Sequence, residues 1–159
     1  MTVANILLLI TAAKTALMAG LFYAWSCSVM PGLARLSNRE FVASMQAMNR
    51  AIQNPVFFAA FFGAPLLLPV SAFLHYDESP RFPLLLAAGL IYLTGTFAVT
   101  IFGNVPLNNT LDRFKLESAA EEEIVSQRAN FERRWTNLNT VRTASSTLSL
   151  ILVLIALLN

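Results

Sequence analysis

The sequence predicts an all-α integral membrane protein: a four-helix bundle with a short amphipathic helix before the second span and a polar helix before the fourth. Three observations predict it. The 159 residues are 56% hydrophobic and only 13% charged, whereas a soluble domain is nearer a quarter charged. Four windows are apolar over the roughly 20 helical residues that a hydrocarbon core about 30 Å thick requires. The basic residues between those windows gather in alternate connections. The whole chain, residues 1–159, reads as one transmembrane domain.

The first span is expected over about Val3–Met30, ending at Pro31-Gly32. The second runs from Pro55 to about Leu74, with Asn54 as N-cap and proline at the first helical position. The third runs from Pro83 to about Phe102, and the fourth from about Asn139 to Leu158. Between spans one and two, Phe41, Met45, Met48 and Ile52 recur at helical spacing, with Gln46, Asn49 and Gln53 on another face. That pattern predicts an amphipathic helix lying on the membrane interface. The connection Leu111–Thr136 should hold a polar helix from about Ser118, which would cap it. Glu121, Glu122 and Glu123 follow in its first turns, where the helix dipole favours negative charge. This acidic run reads as a solvated helix start rather than a metal site.

Orientation follows from loop lysines and arginines. Arg35, Arg39 and Arg50 lie in the first connection, and Arg113, Lys115, Arg128, Arg133 and Arg134 in the third. The second connection carries only Arg81, beside Asp77 and Glu78. The first and third connections are therefore expected in the cytoplasm and both termini outside it, in a bacterial inner membrane. The N-terminus lacks a basic n-region and a clear cleavage site, so no signal peptide is expected. A net charge of +2 is too small and scattered for nucleic acid. One cysteine, Cys27, excludes an internal disulfide framework. A single cysteine and a single histidine, His75, predicted at opposite membrane faces, give neither a Cys-His pair nor a metal site within one chain.

Several polar residues need a reason. Lys14 lies deep in the first span, and no acidic residue falls within any span. It should face the bundle interior or a wet cavity, or snorkel. Ala12, Ala16, Gly20, Ala24 and Ser28 form a small-residue row, which reads as a helix-packing face or a homo-oligomer contact. The most unusual cluster is amide-rich. Phe131, Trp135, Asn139 and Arg142 share one face of the helix entering the fourth span. Asn49, Gln53 and Asn54 enter the second span, Asn104 and Asn108 leave the third, and Trp25, Ser26 and Ser28 end the first. All fall at one membrane level. Two readings stand for them. They cap helix ends that lipid cannot satisfy, or they build a pocket walled by Trp25, Phe57, Phe58, Phe61 and Trp135, floored by amides, with Arg142 its only fixed charge. Such a pocket suits a flat, lipophilic molecule bearing carbonyl or phenol oxygens.

At these residues the sequence resembles the small four-helix membrane proteins grouped with fungal anthrone oxygenases. The resemblance rests on Gly20-Leu21-Phe22, Val29-Met30-Pro31-Gly32-Leu33, and Phe41 with Met45-Gln46-Ala47-Met48-Asn49. It continues in Asn54-Pro55, Gly103-Asn104-Val105-Pro106-Leu107-Asn108, and Trp135 with Asn137, Asn139 and Arg142-Thr143. The resemblance implies oxygenation of an anthrone to an anthraquinone without an obvious metal, flavin or other cofactor. Such a reaction needs a base, a stabiliser for the oxyanion and an apolar box. Arg142, Asn104, Asn108 and Asn139 are the candidate oxyanion donors. Lys14, which matches no motif of the family, serves as base only if it reaches their level.

Overall fold

The computed structural model describes residues 2–159. Four of its helices are long and apolar enough to cross a membrane. We label the helices α1 (Val3–Leu33), α2 (Asn38–Ala51), α3 (Pro55–Leu74), α4 (Arg81–Asp112) and α5 (Glu121–Leu158). Helices α1, α3, α4 and α5 form the bundle. Both termini and the short α3–α4 turn share one end, here the terminal end. Helix α2 and the α4–α5 connection make the other, the connector end.

The prolines expected to end spans do not end them. Helix α1 continues through Pro31, and α4 runs ten residues past its expected end, through Pro106 to Asp112. In both cases the preceding stretch widens into π turns, at Trp25–Val29 and at Thr100–Asn104. A proline has no N–H to give and its ring crowds the carbonyl four residues back. Widening the turn just before it re-registers the bonding to five residues back: Met30 N–H reaches the Trp25 carbonyl and Val105 N–H that of Thr100. A third π stretch, Tyr92–Ala98, lies deeper in α4.

The polar helix expected before the fourth span is continuous with it, in one helix of 38 residues. Its start is fixed by Glu123, whose carboxylate accepts the Ala120 N–H at 2.9 Å, and not by Ser118, which lies in a preceding 3₁₀ turn. Helix α2 begins at Ser37 with a reciprocal box. The Ser37 hydroxyl accepts from Glu40 N–H, and the Glu40 carboxylate accepts from Ser37. The Ser37 hydroxyl and then the Ser37 N–H, both donating to that carboxylate, hold the Glu40 carboxyl below its ordinary value.

The apolar face of α2 is covered by protein rather than by a membrane surface. Phe41, Val42 and Met45 are fully buried against Met30, Leu33, Leu111, Ile124, Phe131 and Trp135. Periodicity shows that a helix has an apolar face and is silent on what covers it. Arginines and an amide fasten this cap by closing helix ends, since the last carbonyls of a helix have no partner within it. Arg128 donates to the carbonyls of Ala34 and Leu36 just past α1, pairs with Glu132, and lies 4.5 Å from the Phe41 ring centroid. Gln46 donates to the carbonyls of Leu111 and Phe114, and Arg39 to those of Leu116 and Ala119.

Within the bundle, short hydroxyl contacts replace the hydrophobic drive that lipid removes. Thr11 and Ser71 share a bond at 2.8 Å between α1 and α3, Thr96 and Ser145 one at 2.8 Å between α4 and α5, and Ser149 reaches the Ala88 carbonyl at 2.9 Å. The small-residue row of α1 takes little part in this packing. Ala12 is buried, but Ala16, Gly20, Ala24 and Ser28 face outward, and a Cβ on Gly20 would meet nothing within 4 Å. Close approach is instead on α4: a Cβ on Gly95 would lie 2.5 Å from Ser145 Cβ. Gly95→Ala should therefore destabilise the bundle by about 1–3 kcal/mol through overpacking. Gly20→Ala should leave it within about 0.5 kcal/mol of the parent. Thermal unfolding in detergent measures both.

Candidate functional site

The interior of the connector half holds a cavity of about 250 Å³. That is just below the range of about 300–1,000 Å³ common for small-molecule pockets, and suits a small flat ligand. Phe57, Phe58, Phe61 and Phe62 of α3 form one wall, with Trp25 and Phe22 of α1 beside them and Trp135 of α5 opposite. The walls are locked ring to ring. Trp25 and Trp135 lie 5.0 Å apart, Phe57 stacks on Phe61 at 5.4 Å, and Phe61 on Phe97 at 5.2 Å.

Arg142 is the one charged side chain on the cavity lining. About 24 Å of helix separates it from Leu158, which leaves it within a hydrocarbon slab about 30 Å thick. Its residue is 5% exposed, and no carboxylate among the described residues pairs with it. An uncompensated buried charge is expensive, and the site reduces that cost with dipoles and rings. One guanidinium nitrogen donates to Asn139 Oδ1 at 2.7 Å and another to Thr100 Oγ1 at 3.4 Å. The guanidinium carbon lies 4.4 Å from the Phe22 ring centroid and 5.2 Å from that of Trp135. Nε has no partner. The amide of Asn139 is itself held, because its Nδ2 donates to the Phe22 carbonyl at 3.1 Å and to Ser26 Oγ at 2.8 Å. Thr143 clamps the same spot, donating to the Phe22 carbonyl. The dipole of Asn139 is thus turned so that its oxygen faces the cation.

The expected site residues divide into three groups. Trp25, Asn49, Gln53, Phe58, Asn108, Trp135 and Arg142 line the cavity. Asn108 Oδ1 accepts the Trp135 indole N–H at 2.8 Å and so fixes that ring, while Asn49 Nδ2, buried at the rim, has no partner. Asn104 and Asn139 stand behind the lining. Asn104 is 1% exposed and reaches the Trp135 carbonyl at 3.4 Å, with its own Oδ1 unpaired. Asn54 and Lys14 lie apart. Asn54 is a helix cap, accepting from Phe57 N–H and donating to the Ala51 carbonyl. The aliphatic chain of Lys14 lies along Gly63, whose Cβ would come within 3.3 Å of Lys14 Cδ, beyond the terminal-side limit of the cavity. Lys14 therefore does not meet the condition set for it as a base.

Phe22 and Thr100 touch the guanidinium and were not expected to. Thr100 stands four and eight residues before Asn104 and Asn108, a spacing that puts all three on one face. Phe22 stands three residues before Trp25, a neighbouring position on a helix surface. Cys27 is exposed, and His75, buried in the terminal half, bonds through Nδ1 to the Ser71 carbonyl. Among the described residues no three His, Cys, Asp or Glu side chains gather to hold a metal.

Residues 55–152 match the model of the family described as anthrone oxygenase. The match spans more than half of the chain, and the protein belongs to that family. It takes in the phenylalanine wall, Thr100, Asn108, Trp135, Asn139 and Arg142, whereas Phe22, Trp25 and Asn49 lie before it. No curated protein and no solved structure matches the chain.

Asn139→Ala removes the oriented partner of Arg142 and one bond each at the Phe22 carbonyl and Ser26 Oγ, which keep their bonds to Thr143. It should cost about 1–3 kcal/mol of stability, whereas Asn137→Ala, on the outer face of the same helix, should be close to neutral. Denaturant unfolding in detergent micelles compares the two.

Proposed function

We propose that this membrane protein is a cofactor-independent oxygenase for a flat, lipophilic phenol or ketone of the anthrone type. The observation that carries the reading is the guanidinium of Arg142: buried, without a counter-ion among the described residues, and set in an aromatic box. Such a cation favours a ligand that brings negative charge on oxygen.

An anthrone is weakly acidic at its methylene carbon because loss of the proton gives an aromatic enolate. The enolate oxygen would lie against Arg142, with Asn49 Nδ2 a second free donor at the rim. An electron-rich carbanion of this kind reduces dioxygen by itself. Overall, anthrone and dioxygen give anthraquinone and water: one methylene carbon loses two hydrogens and gains a carbonyl oxygen. The protein's part is to raise the fraction of enolate and to hold it beside an apolar space that admits oxygen. No lining side chain is an ordinary base, so we assign the departing proton to water at the polar rim, near Gln53 and Asn109.

The connector end would face the cytoplasm, which the distribution of arginines supports. A second reading, self-association through α1, draws on the outward-facing small row from Ala16 to Ser28.

Arg142→Gln keeps an uncharged donor near the position of Nε and removes the charge and the two terminal nitrogens. It should lower kcat for anthrone by about 10²–10³, the usual cost of losing one oxyanion donor. Lys14→Met should leave kcat at the parent's level, because that side chain lies away from the cavity. Anthraquinone formation under oxygen, followed by absorbance in detergent, measures both. Equal rates in the parent and Arg142→Gln would sink the assignment.

A further inference from the structure

We propose that the cavity opens sideways into the bilayer, through a cleft between α3 and α4, and takes its aromatic ligand from the hydrocarbon rather than from water. The proposal rests on the ligand class given above, but not on any reaction.

The cleft has a local cause. Pro65 offers no N–H to the Phe61 carbonyl, and regular α3 breaks at Phe62. On the terminal side of the break, Gly63–Leu74 packs along the start of α4. On the connector side, Pro55–Phe61 packs on α1 instead, and the two helices part. Phe61 and Phe62 close the vertex against Phe97, at 5.2 and 6.1 Å. Above the vertex the edge of the rim between α3 and α4 is apolar, with Phe58 and Phe62 on one side and Ile101 and Val105 on the other, while Gln53 and Asn109 stand at its connector-side edge. Phe58 and Phe62 line the cavity and yet are 38% and 45% exposed. A side chain that is both wall and surface marks an opening. Phe62 lies about 10 Å of helix beyond Pro55, so the opening sits at hydrocarbon depth. A flat aromatic dissolved in a bilayer is concentrated there, and entering through this rim it sheds no hydration and passes no charge. Arg142 is reached only at the inner end of the route.

The reporters are built in, since Trp25 and Trp135 are the only tryptophans and both line the cavity. The protein is reconstituted in phosphatidylcholine vesicles. Anthraquinone is loaded into the bilayer, or anthraquinone sulfonate is added to the water. The sulfonate has the same rings and a charge that Arg142 would favour, but it does not enter hydrocarbon. The expected result is saturable quenching of tryptophan emission by the bilayer-borne quinone and none by the sulfonate. Phe62→Ala, at an exposed rim position, should speed that quenching several-fold. Equal quenching by the aqueous sulfonate overturns the proposal, as does an absence of saturable quenching or an unchanged rate in Phe62→Ala. Turnover is scored separately. Uptake through the cleft without oxygenation of anthrone would uphold the route and sink the oxygenase reading. Oxygenation with ready uptake of the sulfonate would do the reverse.

Discussion

A guanidinium buried at hydrocarbon depth, with no carboxylate partner among the described residues, is the constraint around which the connector half is arranged. Arg142 is tolerable there only because other groups face it. Asn139 turns an amide oxygen to it, Phe22 and Trp135 offer ring faces, and Thr100 offers a hydroxyl. Three of these partners are in turn held: Asn139 by the Phe22 carbonyl and Ser26, Trp135 by Asn108, and Thr100 by the Thr96 carbonyl. The charge is held still and its Nε is left without a partner, and the proposed oxyanion site draws on that arrangement. The residues that do this come from three of the four spans, so the site exists only in the assembled bundle.

The π turns connect this chemistry to the backbone. Regular helices through Trp25 and Asn104 would keep 3.6 residues per turn and set successive side chains at fixed angles. The wider turns at Trp25–Val29 and Thr100–Asn104 change that register next to the cavity, and both stand just before a proline. The proline that disrupts the helix and the side chain that is re-aimed are thus parts of one local event, as π turns at functional sites often are.

Much of this architecture was legible in the sequence, because the bilayer imposes a coarse rule: a span must be apolar over about 20 residues. The four spans and the gathering of Trp25, Asn49, Asn108, Trp135 and Arg142 at one level followed from that rule and from helical spacing. What was not legible depended on partners. The apolar stripe of α2 fits a membrane surface or a protein surface equally well, and only the positions of Leu111, Ile124 and Phe131 decide between them. The row from Ala16 to Ser28 carries the spacing of a packing face, yet faces outward, because the close contacts are made by Gly95 and Gly103 of α4. Lys14 was expected to face the bundle interior or a wet cavity, or to snorkel, and its aliphatic chain lies along Gly63. Asn54 signalled both a cap and a site, and the cap accounts for both of its bonds. Pro31 read as a stop, and the third span as ending at Phe102, because a widened turn leaves no mark in composition.

In the proposed orientation the arginines of the connector end have two separate jobs, and the two respond differently to substitution. As entries in a topology count, lysine and arginine are equivalent, since translocation senses only positive charge. As fasteners they are not. Arg128 meets two carbonyls beyond α1 and a carboxylate on its own helix through a planar fork, whereas an ammonium is a compact point charge that cannot span such a set. A chain in which these positions drifted to lysine would still insert the same way round, but its cap would come loose from the end of α1. Insertion and closure of this protein are therefore under different selection at the same side chains.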